Sequence, residues 1–156
     1  MDSPGLGVLL FLPYRHLEDR VLAAVRAAGH SITLAQARVF QRVDPGGSRL
    51  TTLARSAQVT KQTAGHLVDQ LEAAGYLART PDPHDARARL IRITSRGREV
   101  IAVAAPVQAA IEAEWAAHLG ARRMQQLTAA LLALRAITDP YADDVSQGGV
   151  SRRTRD

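Results

Sequence analysis

Residues 59–77, VTKQTAGHLVDQLEAAGYL, decide the fold of this chain. Thr60 suits the position just before a helix, because its hydroxyl can accept the backbone N–H of a residue two or three positions later. Behind it, apolar residues recur at helical spacing and predict one buried face: Ala64, Leu67, Val68 and Leu71. Gly75 favours the left-handed backbone that ends many helices. The stretch therefore predicts an amphipathic helix of which one face belongs to a core.

The opposite face of this helix is polar. It carries short, amide-bearing or cationic side chains, namely Gln62, His66, Asp69 and Ala73, with Lys61 beside them. A shorter helix is predicted to start at Thr51 or Thr52, and the turn at Gln58-Val59 joins the two. Two short helices joined by three or four residues have the helix-turn-helix spacing, and the polar face suits a helix that lies in a major groove.

A β-hairpin is predicted to follow the second helix. Tyr76 to Thr80 can form one strand, and Arg89 to Thr94 alternates apolar and polar residues at the period of a strand. Between them, Pro81 to Arg87 contains two prolines, which lack a backbone donor, so we expect this segment to be a loop outside the ladder. Such a hairpin makes the unit a winged helix-turn-helix, with the hairpin as its wing.

The order of helix, glycine and hairpin resembles the MarR family of bacterial transcriptional regulators over roughly residues 30–137. The resemblance is carried by Leu71 to Leu77, Asp82-Pro83, Asp85-x-Arg87 and Ile93-Thr94-x-x-Gly97. It implies a mainly α (α+β) fold in which N- and C-terminal helices form a dimer beside the winged helix-turn-helix. We predict DNA contacts from the recognition helix and the wing: Thr60, Lys61, Gln62, Thr63, His66, Asp85, Arg87 and Arg89.

The wing pair Asp85 and Arg87 has a specific role by this resemblance. Arg87 is expected to enter the minor groove beside the half-site, where narrow A·T-rich tracts concentrate negative potential. Asp85 lies two residues away, so its carboxylate can hold the Arg87 guanidinium in one direction. The alternative is a surface ion pair that contributes little.

His66 leaves two interpretations open. Members of the family often carry arginine at the matching position of the recognition helix. As a cation, His66 could bind phosphate or a guanine edge, and DNA binding would then strengthen as the pH falls from 8 to 6, because an ordinary imidazole is charged only below about pH 6.5. As a neutral imidazole, it would make one base contact or none.

The distribution of charge agrees with a nucleic-acid partner. The chain has 156 residues, enough for one domain, and a net charge of +5. Residues 49–98 hold nine Arg or Lys and four Asp or Glu, whereas the remaining residues hold eleven of each. The whole excess of positive charge therefore lies in the predicted DNA-binding unit, although a basic solvated surface would have the same charge.

Helices are predicted on both sides of this unit. Residues 5–28 carry an apolar stripe at helical spacing and predict a helix that is either kinked at Pro13 or begins there. Thr33 can cap a second helix that runs to about Arg42. Thr94 or Ser95 is expected to start a long helix that ends near Leu119-Gly120. A last helix carries a heptad-like apolar stripe of Met124, Leu127, Leu131 and Leu134.

The terminal helices have more apolar surface than one small chain can cover. We therefore predict a homodimer, with closure of a monomeric bundle as the alternative. The predicted regions are a helical dimerisation region at residues 1–32 and 98–138, the DNA-binding unit at residues 33–97, and a disordered tail at residues 139–156. The tail lacks periodicity and carries three arginines.

Composition also limits the compartment and the chemistry. No cysteine is present, which excludes disulfides and thiolate metal sites. The apolar run Gly7 to Leu12 is too short to span a bilayer, so we expect a cytoplasmic protein with no membrane partner. We find none of the common nucleotide, hydrolase or zinc-protease motifs, and we predict neither an enzyme nor a cofactor. Asp82, His84 and Asp85 could in principle hold a metal, but an exposed wing tip lacks the supporting shell such a site needs.

A small-molecule effector is a further expectation. Proteins similar to this one bind anionic, often aromatic molecules between the dimerisation helices and the DNA-binding unit. A few aromatic rings with an arginine and histidines would suit an aromatic acid, and the candidates are Phe11, Tyr14, Arg15, His16, Phe40, Trp115 and His118. The alternative is that these aromatic residues only fill the core.

Two classes of function follow from these observations. The first is a transcriptional regulator, in our interpretation a repressor, that binds a palindromic operator as a homodimer and is released by an effector. The second is an effector-independent DNA-binding or architectural module. A regulator should prefer its operator to random duplex by roughly a thousandfold or more, and an architectural module should show almost no preference.

Overall fold

The computed structural model describes residues 3–139, which form six helices and one small sheet. The elements in chain order are α1 (Leu6–Ala27), α2 (Leu34–Phe40), α3 (Leu50–Ser56), α4 (Lys61–Ala73), β1 (Leu77–Asp82), β2 (Asp85–Ile93), α5 (Ser95–Leu119) and α6 (Ala121–Thr138). The mainly helical winged-helix fold is confirmed. The predicted tail, residues 139–156, lies outside the described residues except for Asp139.

The first two helices begin close to where their sequences indicate, and α2 ends at Phe40, before the expected end near Arg42. α1 starts seven residues before Pro13, so this proline lies inside the helix and does not begin it. Thr33 caps α2 through a reciprocal pair of hydrogen bonds. Its hydroxyl accepts the Gln36 N–H at 3.2 Å, and the Gln36 side-chain oxygen accepts the Thr33 N–H at 3.0 Å. This capping box satisfies two backbone donors at the start of a seven-residue helix.

α3 and α4 form the predicted helix-turn-helix. α3 begins at Leu50, slightly earlier than expected, and Gln58 adopts a positive φ of 56° in the turn. The Thr60 hydroxyl accepts the Thr63 N–H at 3.1 Å and so caps α4. All four apolar residues predicted for its inner face are buried. After Ala73, Gly75 takes a φ of 83°, as a helix-ending glycine should.

The wing departs from the prediction at its tip. Residues 81 and 82 pair with β2 instead of lying in a loop, with an irregularity between them. Both backbone groups of Ile91 bond to Ser48, on the side away from β1. Its pairing with Arg79 is therefore a non-hydrogen-bonded one, and so is the pairing of Pro81 with Arg89 two residues further along. Pro81 fits the ladder because no donor is needed there, and the expectation of a loop was wrong.

The base of the wing is joined to α5 by two small residues, Thr94 and Gly97. The Thr94 hydroxyl accepts the Gly97 N–H at 3.1 Å and lies 2.6 Å from the Gly75 carbonyl oxygen. A Cβ at Gly97 would stand 2.4 Å from the Tyr76 carbonyl oxygen and 2.7 Å from a methyl of Ile93. Only glycine allows α5 to start this close to the wing.

The hydrophobic core is mainly aliphatic. It combines side chains from α1 to α5 and both strands: Val25, Ile32, Val39, Phe40, Val43, Leu53, Leu67, Val68, Leu71, Tyr76, Leu77, Ile91 and Val100. The core holds the inner face of α4 against its neighbours and leaves the polar face outside. Burial of this apolar surface is the main force that positions α4 and the wing.

The chain divides into two compact units after Glu114. In the first unit, the start of α1 exposes several large apolar side chains: Leu6, Val8, Leu9, Leu10, Phe11 and Leu12. In the second unit, no residue of α6 is buried. The exposed residues of this helix include five large apolar side chains: Leu127, Leu131, Leu132, Leu134 and Ile137. α5 is also long and apolar enough that, by length and composition alone, it could cross a membrane.

Candidate nucleic-acid interface

The first turns of α4 expose the residues predicted to contact DNA. The side chains of Lys61, Gln62, Thr63 and His66 are all exposed. Thr60 and Thr63 also join their hydroxyls at 2.9 Å, so Thr60 acts mainly in capping the helix. Lys61, Gln62 and His66 project into solvent, because the burial of the opposite face fixes the direction of this one.

The acidic residues on this helix are neutralised by the wing. Arg79 of β1 donates to the Asp69 carboxylate at 2.7 Å and also pairs with Glu72. The Arg79 backbone N–H also donates to the Glu72 carboxylate, at 3.2 Å. Asp69 lies on the exposed face of α4, as predicted, but no sequence signal indicated its pairing with Arg79. This ion pair reduces the repulsion that two carboxylates would exert on phosphate.

The base of the wing tip is held by an ion pair that the sequence analysis missed. Asp82 is buried, and the Arg49 guanidinium donates to its Oδ2 at 2.6 and 2.9 Å. The backbone N–H of His84 donates to Oδ1 at 2.9 Å. The hydrogen bond from the His84 backbone is the larger cause of a lowered Asp82 pKa, and the hydrogen bonds from Arg49 are the next. The pairing of Ser48 with Ile91 brings Arg49 beside the wing, and no local sequence signal links residues 49 and 82.

The structure corrects the predicted contact between Asp85 and the Arg87 guanidinium. Asp85 Oδ1 accepts the backbone N–H of Arg87 at 3.1 Å, and Asp85 Oδ2 lies 3.6 Å from the Arg49 guanidinium. Within residues 3–139, no acidic side chain forms an ion pair with Arg87. The hairpin bends so tightly that the nearest donor to Asp85 is the Arg87 backbone. Asp85 therefore orders the tip, while the exposed side chains of Arg87 and Arg89 extend from it.

These features match a known architecture. The transcriptional repressor CouR, solved on a 23-mer DNA duplex, is 25% identical, with a TM-score of 0.66 over 83% of this chain and 92% of CouR. The transcriptional regulator HosA of Escherichia coli O111:H- is 26% identical over 95 residues, which are 60% of this chain and 70% of HosA. A model described as the MarR family matches residues 30–88. These comparisons support a MarR-family winged-helix regulator.

Two further proteins are similar to this chain. The transcriptional activatory protein BadR of Rhodopseudomonas palustris is 34% identical over 93 residues, which are 60% of this chain and 52% of BadR. CouR from Rhodococcus jostii RHA1 bound to p-coumaroyl-CoA has a TM-score of 0.68 at 24% identity, over 88% of this chain and 94% of CouR. The relatives are transcriptional regulators and not enzymes. The comparisons therefore support a transcriptional regulator with a DNA-binding fold.

A cavity of about 450 Å³ lies within the first unit of the chain. Most of its lining is apolar, and the polar groups at its wall are Tyr14, Glu18, Arg38, Gln41 and Gln108. Of the seven effector candidates, Tyr14 and Phe40 line this cavity. Phe11, Arg15 and His16 lie on α1 outside that lining, and Trp115 and His118 belong to the second unit.

The polar part of the cavity wall is organised around a buried carboxylate, Glu18. Arg38 donates to both of its oxygens, at 2.7 and 2.9 Å, and Arg15 donates at 3.2 Å. These hydrogen bonds, above all those of Arg38, lower the pKa of Glu18 to about 2. Burial raises the pKa of Tyr14, and its hydrogen bond with Glu18 raises it further. The sequence analysis missed Glu18, although an acidic residue between Leu17 and Val21 on an apolar stripe was a usable signal.

Replacement of Glu18 with glutamine is expected to destabilise the fold in a pH-dependent way. The folded pKa of Glu18 lies below its ordinary value of 4.5, so its contribution is complete above pH 4.5 and is lost as the pH falls towards 2. At pH 6 the variant should lose about 1.5–3 kcal/mol of unfolding free energy, as for hydrogen bonds to a charged group. Urea denaturation followed by circular dichroism at pH 6 and pH 3 measures the difference.

The matched control is Glu112→Gln, which removes the same charge from an exposed position on α5. This variant should match the wild type at both pH values. A wild-type advantage over Glu18→Gln that is as large at pH 3 as at pH 6 would contradict the assignment.

Proposed function

We propose that the chain is a homodimeric repressor that binds a palindromic operator and is released by a small-molecule effector. The proposal is carried by one combination of features. A basic surface formed by α4 and the wing is exposed, while α1 and α6 leave large apolar side chains uncovered in a single chain. Patches of this kind mark association surfaces. A second copy that covers them would give a two-fold pair of recognition helices.

DNA contacts in this proposal come from the residues predicted in the sequence. Lys61, Gln62 and His66 would meet base edges in the major groove, and Arg87 with Arg89 would reach the flanking minor groove. Two-fold symmetry then calls for inverted half-sites about 10 base pairs apart, one turn of the duplex. The same function places the protein in the cytoplasm with the DNA. The apolar surface of α5 is consistent with helix packing in such a dimer.

The effector part of the proposal is supported by the cavity. Its volume lies in the range of small-molecule sites, and it combines apolar walls with a few polar groups. Tyr14 and Phe40 would contact an aromatic ring, and Arg38 would meet an anionic end. Because Glu18 already binds Arg38, an acid would have to share that guanidinium. Release of the bound duplex in a screen of aromatic acids tests this part, and no release by any of them would count against it.

Selection from a randomised duplex library tests the DNA part. At fixed salt, we expect the selected duplex to bind roughly a thousandfold or more tightly than its scrambled counterpart. It should contain inverted half-sites. Equal affinity for both duplexes would instead support the effector-independent architectural module.

Regulation by activation is the second candidate, because BadR is an activatory protein and CouR is a repressor. A reporter gene placed behind the selected operator distinguishes the two. Repression predicts higher reporter output when the protein is absent, and activation predicts lower output.

A further inference from the structure

A continuous chain of hydrogen bonds runs from the start of α2 to the exposed face of α4. The Thr33 backbone N–H donates to Gln36 Oε1 at 3.0 Å, and Gln36 Nε2 donates to Gln70 Oε1 at 3.0 Å. Gln70 Nε2 then lies 2.9 Å from His66 Nε2. His66 is thereby connected, through two amides, to a backbone group of another helix.

The first donor in this chain determines the direction of all the others. A backbone N–H can only donate, so Gln36 must offer its oxygen to Thr33 and its amide nitrogen to Gln70. Gln70 must then accept through oxygen and turn its own nitrogen towards His66. A neutral imidazole has one donor nitrogen and one acceptor nitrogen, and here Nε2 has to accept. The proton of a neutral ring is left on Nδ1.

We propose that Gln36 and Gln70 hold His66 as the neutral Nδ1–H tautomer, which presents a single donor to the edge of a base. Gln36 and Gln70 are positioning residues in this scheme, and His66 is the specificity-determining residue. The inference rests on the proposed function, in which α4 lies in the major groove. There, an Nδ1–H donor recognises guanine N7 or O6, adenine N7 or thymine O4, and it does not recognise the cytosine amine.

The groups around His66 are consistent with this assignment. On its own helix, Lys61 and Asp69 share a shallow depression with His66, and Leu50 is the contribution of α3. Arg79 of β1 holds the Asp69 carboxylate at 2.7 Å. From α2, the group that connects to the ring through Gln70 is the neutral amide of Gln36. The side chain that bonds the ring is thus the Gln70 amide.

Nitrogen NMR of the full-length, DNA-free protein tests the tautomer directly. Two-bond ¹H–¹⁵N correlations of labelled imidazoles at pH 7.5 distinguish Nδ1–H from Nε2–H, and His66→Gln identifies the relevant signals. We expect Nδ1–H in the wild type. Gln70→Glu should reverse the tautomer to Nε2–H, because a carboxylate only accepts. Gln126→Glu, the same change at an exposed position of α6, should leave it unchanged.

A wild-type ring in the Nε2–H form, or an unchanged tautomer in Gln70→Glu, would overturn the proposal. Circular dichroism verifies that each variant is folded, and Gln70→Leu provides a second variant in which the preference for Nδ1–H should be lost. Because this measurement uses no DNA, its failure is distinguishable from failure of the proposed function.

Selection from a randomised duplex library then tests the recognition part. The wild type should select a base that offers an acceptor at one position of each half-site. In Gln70→Glu that preference should fall by roughly tenfold or more, because Nδ1 of a neutral His66 ring in the Nε2–H form can only accept. If the tautomers behave as expected but both proteins select the same base, the assignment of His66 to specificity is wrong. Absence of any selected sequence would reject the proposed function and leave the tautomer result intact.

Discussion

Replacement of Leu131 with glutamate is expected to convert the protein to a monomer and to reduce operator affinity by about 10²–10⁴-fold. Leu131 lies on the apolar stripe of α6 and is 43% exposed in a single chain. In the proposed dimer it is covered by the second copy, where an unpaired carboxylate would have to lose its hydration. Without the dimer, the two recognition helices bind their half-sites independently. Sedimentation velocity and operator titration measure the two effects together.

The control for this variant is Gln125→Glu, which adds the same charge to an exposed position away from the stripe. This protein should remain a dimer and bind the operator within about twofold of the wild type, as expected for a surface substitution. A Leu131→Glu protein that sediments as a dimer would show that α6 is not the interface. A wild-type protein that is monomeric and still binds its operator tightly would contradict the proposed homodimer.

Replacement of Arg87 with alanine is expected to weaken operator binding by about 1–3 kcal/mol, the magnitude of a good groove contact. The Arg87 side chain is exposed at the wing tip, and only its backbone N–H is bonded to Asp85. Its loss should therefore leave the melting temperature almost unchanged. Arg26→Ala removes the same charge from an exposed position on α1, outside the DNA-binding unit, and should have a much smaller effect. Equal losses in both variants would mean that Arg87 contributes only net charge.

Two variants of Asp85 separate the ordering of the tip from simple electrostatics. Both remove a negative charge, which alone predicts tighter binding to any duplex. Asn at position 85 keeps an oxygen that can accept the Arg87 N–H, whereas Ala does not. We expect Asp85→Ala to bind the operator more weakly than Asp85→Asn, while the two bind random duplex equally. Equal operator affinity in both would contradict the ordering role of the 3.1 Å hydrogen bond.

The parts of the fold that depend on neighbours in sequence were predictable. The Thr60 cap, the apolar face of α4 and the positive φ of Gly75 each follow from residues within one or two helical turns. The exposure of Lys61, Gln62 and His66 follows in turn, because burial of one helical face leaves the other in solvent. The same local signals produced the resemblance to the MarR family.

The errors and omissions concern contacts between residues distant in sequence. Pro81 lies in the ladder because the pairing of Ser48 with Ile91 decides which positions of β1 need a donor. Arg49 reaches Asp82 and Asp85 through that same pairing, and the Asp85 carboxylate consequently lies near Arg49 and not near the Arg87 guanidinium. Glu18 and Arg38 meet because α1 packs on α2.

The sequence by itself determined the helix-turn-helix, the wing, the basic charge of that unit and the excess of apolar surface on the last helix. Periodicity, caps and charge counts are local properties, so they can be read without a fold. Only the tertiary structure decided which acidic residues Arg38, Arg49 and Arg79 bind and which side chain bonds the His66 ring. Those outcomes depend on hydrogen-bond directions between separate elements, since a backbone N–H on α2 orients a side chain on α4 only after the core has packed the two together.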